Sequence, residues 1–441
     1  MGSDRFAMAE LRGLPGFRDF YPEEFATRSY LMGIWRDVAG RYGFEEYDGP
    51  PLETLEIYTR KSGEEIVQQL YEFEDKGGRR IALRPEMTPT LARMVGARAR
   101  SLPKPVRWFS VPQLFRYERK QRGRLREHFQ LNLDILGESS VLADAELLAA
   151  AIDIVRETGL DSSQVRARVS DRRVLAAIFR HLGVEEASLG PVYEVVDRLE
   201  REPRERLERR LADLGFDAQT ISGIIDVTEL RGISDLEAAY GDVPAVVERV
   251  AELSSYVGYL DDLGVADFVD IDLSVVRGLA YYTGIVFELW DARRELRAIC
   301  GGGRYDDLLQ VIAGIDLPAL GFGMGDVVLA ELLQDHGLLP KMPSSVDCFI
   351  AWLGPDGRAQ ALRAVQALRS AGLSAVFEYR DRRLGNQLKA ADQLGARWAV
   401  IFGPQEVEAG QARIRDMSTG DERVEAFDRL VESMETATTE L

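Results

Sequence analysis

FRYERKQRGRLREHFQLNLDILG, residues 115–137, is the stretch around which the chain is organised. Its second half alternates as Phe129-Gln130-Leu131-Asn132-Leu133-Asp134-Ile135-Leu136, and alternation at period two predicts a half-buried strand. Residues 114–117 have strand character as well. Between them Arg119, Lys120, Arg122, Arg124 and Arg126 crowd around Gly123, which predicts a long hairpin loop. Two strands then hold a cationic loop above a surface presenting Arg116, Glu118, Gln130 and Asp134. Guanidinium forks match phosphate oxygens in a bidentate way, so this layout suits an anionic ligand such as a nucleotide or an RNA end. A solvated basic loop is the alternative for the same charges.

The rest of the composition narrows the field. A chain of 441 residues has room for two or three domains with a proper core. A net charge of −18 gives no general attraction to nucleic acid, so any RNA contact must rest on local basic patches, residues 115–126 being the clearest. Cys300 and Cys348 make no disulfide framework. With His128, His181 and His336 they make no zinc-ligand set either, and no protein-held metal is expected. There is no apolar run long enough for a membrane span, and residues 1–13 lack the apolar centre of a signal peptide, which predicts a cytoplasmic protein.

Working outward, residues 23–42 place Phe25, Tyr30, Leu31, Ile34, Trp35 and Val38 at helical spacing, and Gly43 stops the helix. Residues 71–75 and 80–84 flank Lys76-Gly77-Gly78-Arg79, a hairpin signal. The second of these strands delivers Arg84-Pro85-Glu86-Met87-Thr88 to a helix over residues 90–97, where Thr88 is also placed to cap the helix. Ser139-Ser140 leads into an apolar helix over 141–158, and 166–171 reads as a strand. Residues 173–262 are helical and densely charged. Arg198, Arg201, Arg204, Arg206, Arg209 and Arg210 alternate there with glutamates, the pattern of an exposed helix laced with ion pairs. Residues 267–275 predict a strand that delivers Arg277, and residues 285–290 another. After Lys341-Met342-Pro343-Ser344-Ser345, strands and helices alternate over 348–402, followed by a hairpin over 411–425, which predicts a separate α/β domain.

Three segments together carry a resemblance. Arg116-x-Glu118 with the basic loop and Gln130, then Arg277-Gly278-Leu279-Ala280-Tyr281-Tyr282-Thr283-Gly284, then Gly301-Gly302-Gly303-Arg304-Tyr305-Asp306 resemble the motif 2 and histidine-recognition blocks of histidyl-tRNA synthetases, a class II aminoacyl-tRNA synthetase family. The likeness runs from about Leu14 to the C-terminus. It implies an α+β fold: a class II synthetase antiparallel sheet flanked by helices, a helical insertion domain and a C-terminal α/β anticodon-binding domain. The implied boundaries are 1–172 and 263–340 for the catalytic domain, 173–262 for the insertion, 341–345 for a linker and 346–441 for the anticodon-binding domain. The helix over 23–42, followed by a strand and proline in Phe44-Glu45-Glu46-Tyr47-Asp48-Gly49-Pro50-Pro51, resembles motif 1, a dimer-forming element, which implies a homodimer.

The resemblance implies a histidine–tRNA ligase with L-histidine, ATP and tRNA(His) as substrates and Mg²⁺ bridging the phosphates. Arg277 and Arg116 inherit the catalytic positions. Glu86, Thr88, Gln130 and Asp134 inherit the histidine ammonium side, Met87 a place in the histidine-binding set, and Tyr281 and Tyr282 the imidazole side. Arg116, Glu118, Arg277 and Arg304 would hold ATP, and Arg119, Lys120, Arg122 and Arg124 the tRNA end. The chain departs from the family at two places. Ala280 stands where an aspartate is usual, and Val328 stands where motif 3 carries the arginine that packs on adenine. The alternative implied by these losses is the non-catalytic paralogue that serves as regulatory subunit of ATP phosphoribosyltransferase.

Overall fold

The structure is a computed structural model that describes residues 12–59, 68–118, 123, 125–199, 201–277, 281–340 and 346–439. The chain divides into two units, residues 1–340 and 341–441.

The first unit is built on a sheet of nine strands among the described residues. In spatial order these are Glu45–Glu46, Val106–Ser110, Glu127–Leu136, Ala319–Gly325, Cys300–Arg304, Ile285–Asp291, Val165–Asp171 and Val269–Ile271, with Gln113–Phe115 paired to the start of Glu127–Leu136. Every ladder is antiparallel except the two at the edges. The hairpin expected around the basic loop is present, in the register Gln113 opposite Phe129 and Phe115 opposite Glu127.

The period-two pattern of Glu127–Leu136 holds, with one correction. The strand is not half-buried: residues 131–136 are all buried. Leu131, Leu133 and Ile135 enter the main core, alongside Trp35 and Val38 of the helix Pro22–Arg41 and Leu148 and Ile152 of the helix Val141–Glu157. Each such side chain contributes about 1.5–3 kcal/mol by leaving water. Asn132 and Asp134 on the other face are buried as well, because that face is roofed by protein instead of solvent. Polar residues on a strand signalled a cavity, and the alternation alone cannot tell a cavity from bulk water.

Helix ends follow local chemistry. The Ser140 hydroxyl accepts from the Leu142 amide at 3.2 Å and starts Val141–Glu157. The helix Thr88–Arg98 has no side-chain cap, so the capping role considered for Thr88 is absent. The strand expected over 267–275 is shorter, only Val269–Ile271. Asp272 stops it by accepting from the Ser274 amide and hydroxyl at 3.1 and 2.7 Å, while its other oxygen takes Arg168 Nε at 2.9 Å. A buried carboxylate that folds its own backbone into a turn ends a strand.

Between 172 and 262 the chain is helical, and Leu175, Phe179, Tyr256 and Leu260 join the same core as the sheet. The charged face is ion-paired as expected: Glu202 alone meets Arg198, Arg206 and Arg210 at 3.4, 3.4 and 3.1 Å. The second unit has a five-stranded sheet among the described residues, in which Ala375–Phe377, Cys348–Trp352 and Trp398–Phe402 run parallel and Gln411–Asp416 and Glu422–Ala426 close it antiparallel. The expected linker, 341–345, lies outside the described residues. No described helix is long and apolar enough to cross a membrane.

Candidate active site

The polar face of Glu127–Leu136 opens into two adjoining cavities. The smaller, ≈ 280 Å³, is lined by Glu86, Thr88, Gln130, Asp134, Tyr281, Tyr282 and Tyr305. The larger, ≈ 560 Å³, is lined by His128, Arg297, Val327 and Val328. Arg116, Glu118, Gln130, Arg201, Arg277 and Glu288 line both and so mark their junction. Residues separated by more than two hundred positions are thus brought to one surface, and most of those lining the smaller cavity had been singled out from the sequence.

Glycines make the floor. A Cβ on Gly321 would overlap the Asp134 carboxylate, one on Gly323 the Gln130 amide, and one on Gly301 the Arg277 guanidinium. The Gly-rich strands Cys300–Arg304 and Ala319–Gly325 therefore leave space for side chains from their neighbours, which is the close approach that glycine allows.

The small cavity has two acidic ends. Tyr281 Oη donates to Glu86 Oε2 at 3.3 Å, and Tyr305 Oη donates to Asp134 Oδ1. Burial pushes Asp134 up to about 7, although the Tyr305 hydroxyl pulls the other way. Its second oxygen, Oδ2, is buried with no partner among the described residues. A buried acceptor left open in a polar cavity is suited to a cationic ligand group. The aromatic walls are contiguous: the Tyr281 ring lies 5.1 Å from Tyr282 and 5.7 Å from Tyr305.

Arg277 stands at the junction in a left-handed backbone conformation, φ +58°. Such a φ costs a non-glycine residue energy that the surroundings must offset. The offset is visible in Arg172, whose guanidinium donates to the carbonyls of Val276, Arg277 and Tyr282 at 2.8, 2.7 and 2.9 Å. Arg277 Nη1 meets Glu288 at 2.6 Å. Burial opposes its charge most strongly, yet Glu288 together with Tyr282 and Cys300 outweighs it and holds the guanidinium above its ordinary value. Arg116 is steadied by donation from Nε to the Pro85 carbonyl at 2.9 Å.

Several expected roles do not fit their positions. Arg304, assigned to ATP, lines neither cavity. It is buried against Asp144, donating from Nη2 at 2.5 Å, with further bonds to the carbonyls of Glu138 and Ser140 and to Asp306. Its charge is consumed in tying the helix Val141–Glu157 to the end of its strand. Met87 is fully buried behind the cavity, with its sulfur 3.9 Å from Arg84 Nη1. Asp326, beside the motif 3 position, locks Arg18 at 2.9 Å and the Phe129 amide at 3.0 Å. Arg119, Lys120, Arg122, Arg124 and Ala280 lie outside the described residues. Arg126 is not a solvated loop charge: its Nε donates to the Glu118 carbonyl at 3.2 Å and its guanidinium covers the Tyr117 ring at 4.2 Å.

Sequence reasoning missed Arg172, Tyr305, Glu288, Arg201 and Arg297. Tyr305 and Glu288 sat inside quoted motifs without a role. Arg201 was lost in the charged helical run, from which it alone is placed at both cavities. Arg172 and Arg297 carried no periodic or motif signal.

The family described as Histidyl-tRNA synthetase matches residues 16–326, and that described as Anticodon binding domain matches residues 347–436. A curated histidine–tRNA ligase of Opitutus terrae is 40% identical over 94% of this chain and 96% of its own length. A chloroplastic/mitochondrial histidine–tRNA ligase of Arabidopsis thaliana is 40% identical over 92% of this chain and 83% of its own length. Among solved structures, a histidyl-tRNA synthetase from a Nostoc species superposes with a TM-score of 0.82 at 27% identity, covering 97% of this chain and 100% of that one. A Bacillus halodurans protein described as an ATP phosphoribosyltransferase regulatory subunit/histidyl-tRNA synthetase superposes at 0.72 with 23% identity, a likeness of fold alone. The chain belongs to the histidyl-tRNA synthetase family.

Proposed function

We propose a residue-level account of histidine–tRNA ligation on this site. The chain is a histidine–tRNA ligase: curated ligases match it at 40% identity over 94% and 92% of its length. It activates histidine with ATP and passes the histidyl group to tRNA(His). One observation carries the residue assignments: Arg116 and Arg277 meet where a small acid- and tyrosine-lined cavity joins a larger one.

Histidine occupies the smaller cavity. Glu86, Thr88, Gln130 and Asp134 supply acceptors for its cationic groups, and Tyr281 and Tyr282 flank the imidazole. The histidine carboxylate is already a nucleophile, so no protein base is needed for its attack on the α-phosphate. The protein positions the reactants and neutralises charge at the phosphorus, the task of Arg116 and Arg277. ATP extends into the larger cavity. Mg²⁺ accompanying ATP would be held by the phosphates with a protein carboxylate. Glu118, buried and facing both cavities, fits that requirement, and the ion when bound neutralises phosphate charge. The tRNA end approaches over Arg119, Lys120, Arg122 and Arg124. The 173–262 helices act as an insertion between the catalytic segments 1–172 and 263–340, residues 341–345 link to the anticodon-binding unit at 346–441, and the protein works as a cytoplasmic homodimer.

Histidine-dependent exchange of pyrophosphate into ATP tests this account. Exchange specific to histidine is expected. Histidine binding without exchange would favour the regulatory paralogue, as would co-purification with a phosphoribosyltransferase.

Asp134 gives the site a pH signature. Its carboxyl is raised, so it is protonated below about pH 7 and cannot then pair with a cationic group. Histidine affinity should weaken as pH falls from ~8 to ~6, by up to roughly tenfold per unit. Asp134→Asn should remove that slope. Both proteins share the substrate's own imidazole titration, so the ratio of their histidine KM values isolates the carboxylate. A ratio independent of pH would exclude Asp134 from contact with a cationic part of the substrate.

A further inference from the structure

The motif 3 position is Val328, on the first turn of the helix Asp326–Asp335, where it lines the larger cavity. An apolar side chain there leaves this part of the cavity without the cation that the resemblance puts at that position. The described cations lining this cavity are Arg116, Arg201, Arg277 and Arg297. Arg116 and Arg277 also line the smaller cavity and belong to the junction, as does Arg201, which lies 3.9 Å from Asp197. Arg297 lines the larger cavity alone among the four.

Its neighbourhood identifies its place. A methyl built on Gly123, in the loop above the cavity, would touch Val328 Cγ2 at 3.3 Å and Arg297 Cδ at 3.9 Å. The two side chains therefore flank one point under the loop, approaching from different elements. Arg297 comes from the turn before Cys300–Arg304, and Val328 from the helix that follows Ala319–Gly325. Of the other cations considered for this role, Arg304 is sealed against Asp144 and lines neither cavity, and Arg119 and Arg122 lie outside the described residues.

We propose that Arg297 is the nucleotide-binding cation that takes the place of a motif 3 arginine, contacting the β- and γ-phosphates of ATP. A guanidinium suits paired phosphate oxygens, and half-burial strengthens the contact relative to open water. With Arg116 and Arg277 at the α-phosphate, Arg297 sits on the side from which diphosphate leaves. The space that a motif 3 arginine would fill is taken by Val328 packing beneath the loop at Gly123. This assignment rests on the ligase account above.

The test is steady-state pyrophosphate exchange by Arg297→Ala, Arg297→Gln and Arg297→Lys, with histidine binding and thermal unfolding as controls. The ATP KM of the neutral variants should rise by ~tenfold or more, with the histidine KM within about twofold of wild type. Arg297→Lys should recover part of the loss, since it restores charge without the fork. Adding Val328→Arg to Arg297→Ala should lower the ATP KM again. An ATP KM within about twofold of wild type in a folded neutral variant would overturn the assignment. So would a loss shared equally by ATP and histidine. Should wild-type protein itself show no histidine-dependent exchange, the ligase account fails, and that result is distinct from an active enzyme indifferent to Arg297.

Discussion

Arg277→Ala should lower the rate of histidine-dependent pyrophosphate exchange by about 10²–10³, or roughly 2.7–4 kcal/mol in the activation barrier. The size follows from where the guanidinium sits. It lies against Gly301 with no room for a Cβ between them, and its Nη1 is fixed by Glu288 at 2.6 Å. Its Nε is buried with no acceptor among the described residues. That arrangement keeps a donor oriented toward the junction before any substrate arrives, so little reorganisation accompanies charge development at phosphorus. The loss should fall on kcat, with both KM values changing far less, because the contact strengthens in the transition state. Arg277→Lys should recover little, since an ammonium cannot satisfy Glu288 and present a second aligned donor. A thermal melt separates this from damage by an unpaired Glu288. A folded Arg277→Ala enzyme with exchange within about threefold of wild type would remove Arg277 from the chemistry.

Arg172 extends the same logic without touching the junction. It holds the carbonyls of Val276, Arg277 and Tyr282 around the Arg277 turn, and burial lowers its own pKa while it does so. A residue of this kind is hard to see in a sequence. It follows a strand and begins a helix, and the carbonyls it holds lie over one hundred residues away. What the sequence carries well is local: the alternation of 129–136, the hairpin at 76–79, the helix over 141–158, and glycine clusters flanking strands. These depend on neighbours within a few positions. The junction is different, because its members meet only after four strands are ordered side by side. Resemblance supplied Arg116, Glu86, Gln130 and Asp134, and the geometry brings them together. It also supplied Arg304, where the same motif supports a structural ion pair in place of a ligand contact. A motif names residues that travel together in a family and does not say which face of the strand each will occupy. Arg297 shows the converse. It stands within four residues of the quoted glycine block, yet only folding sets it beside Val328.

Arg304 provides the sharpest separation of these two kinds of role. Arg304→Met should destabilise the first unit by about 3–5 kcal/mol while leaving the ATP KM within about twofold of wild type. Removing the guanidinium strands Asp144, which is buried and keeps only the weaker pull of Arg173, opposed by Asp171. With Arg304 in place, burial already pushes the Asp144 carboxyl up to about 6, against the pull of the guanidinium. Without it the carboxyl rises further. A folded-state pKa above the unfolded value means that the native state binds the extra proton, so stability falls as pH rises between the two values. The variant should therefore be closest to wild type near ~pH 5 and furthest from it near ~pH 8 in urea unfolding. Asp306 softens the loss little, because it is more than a third exposed and regains water. Replacing both partners, Arg304→Met with Asp144→Leu, should recover most of the stability, since no buried charge then remains. A pH-independent deficit would mean that packing, not the stranded carboxylate, dominates. A raised ATP KM with unchanged stability would instead return Arg304 to the nucleotide site, at odds with a guanidinium whose bonds all run into the protein.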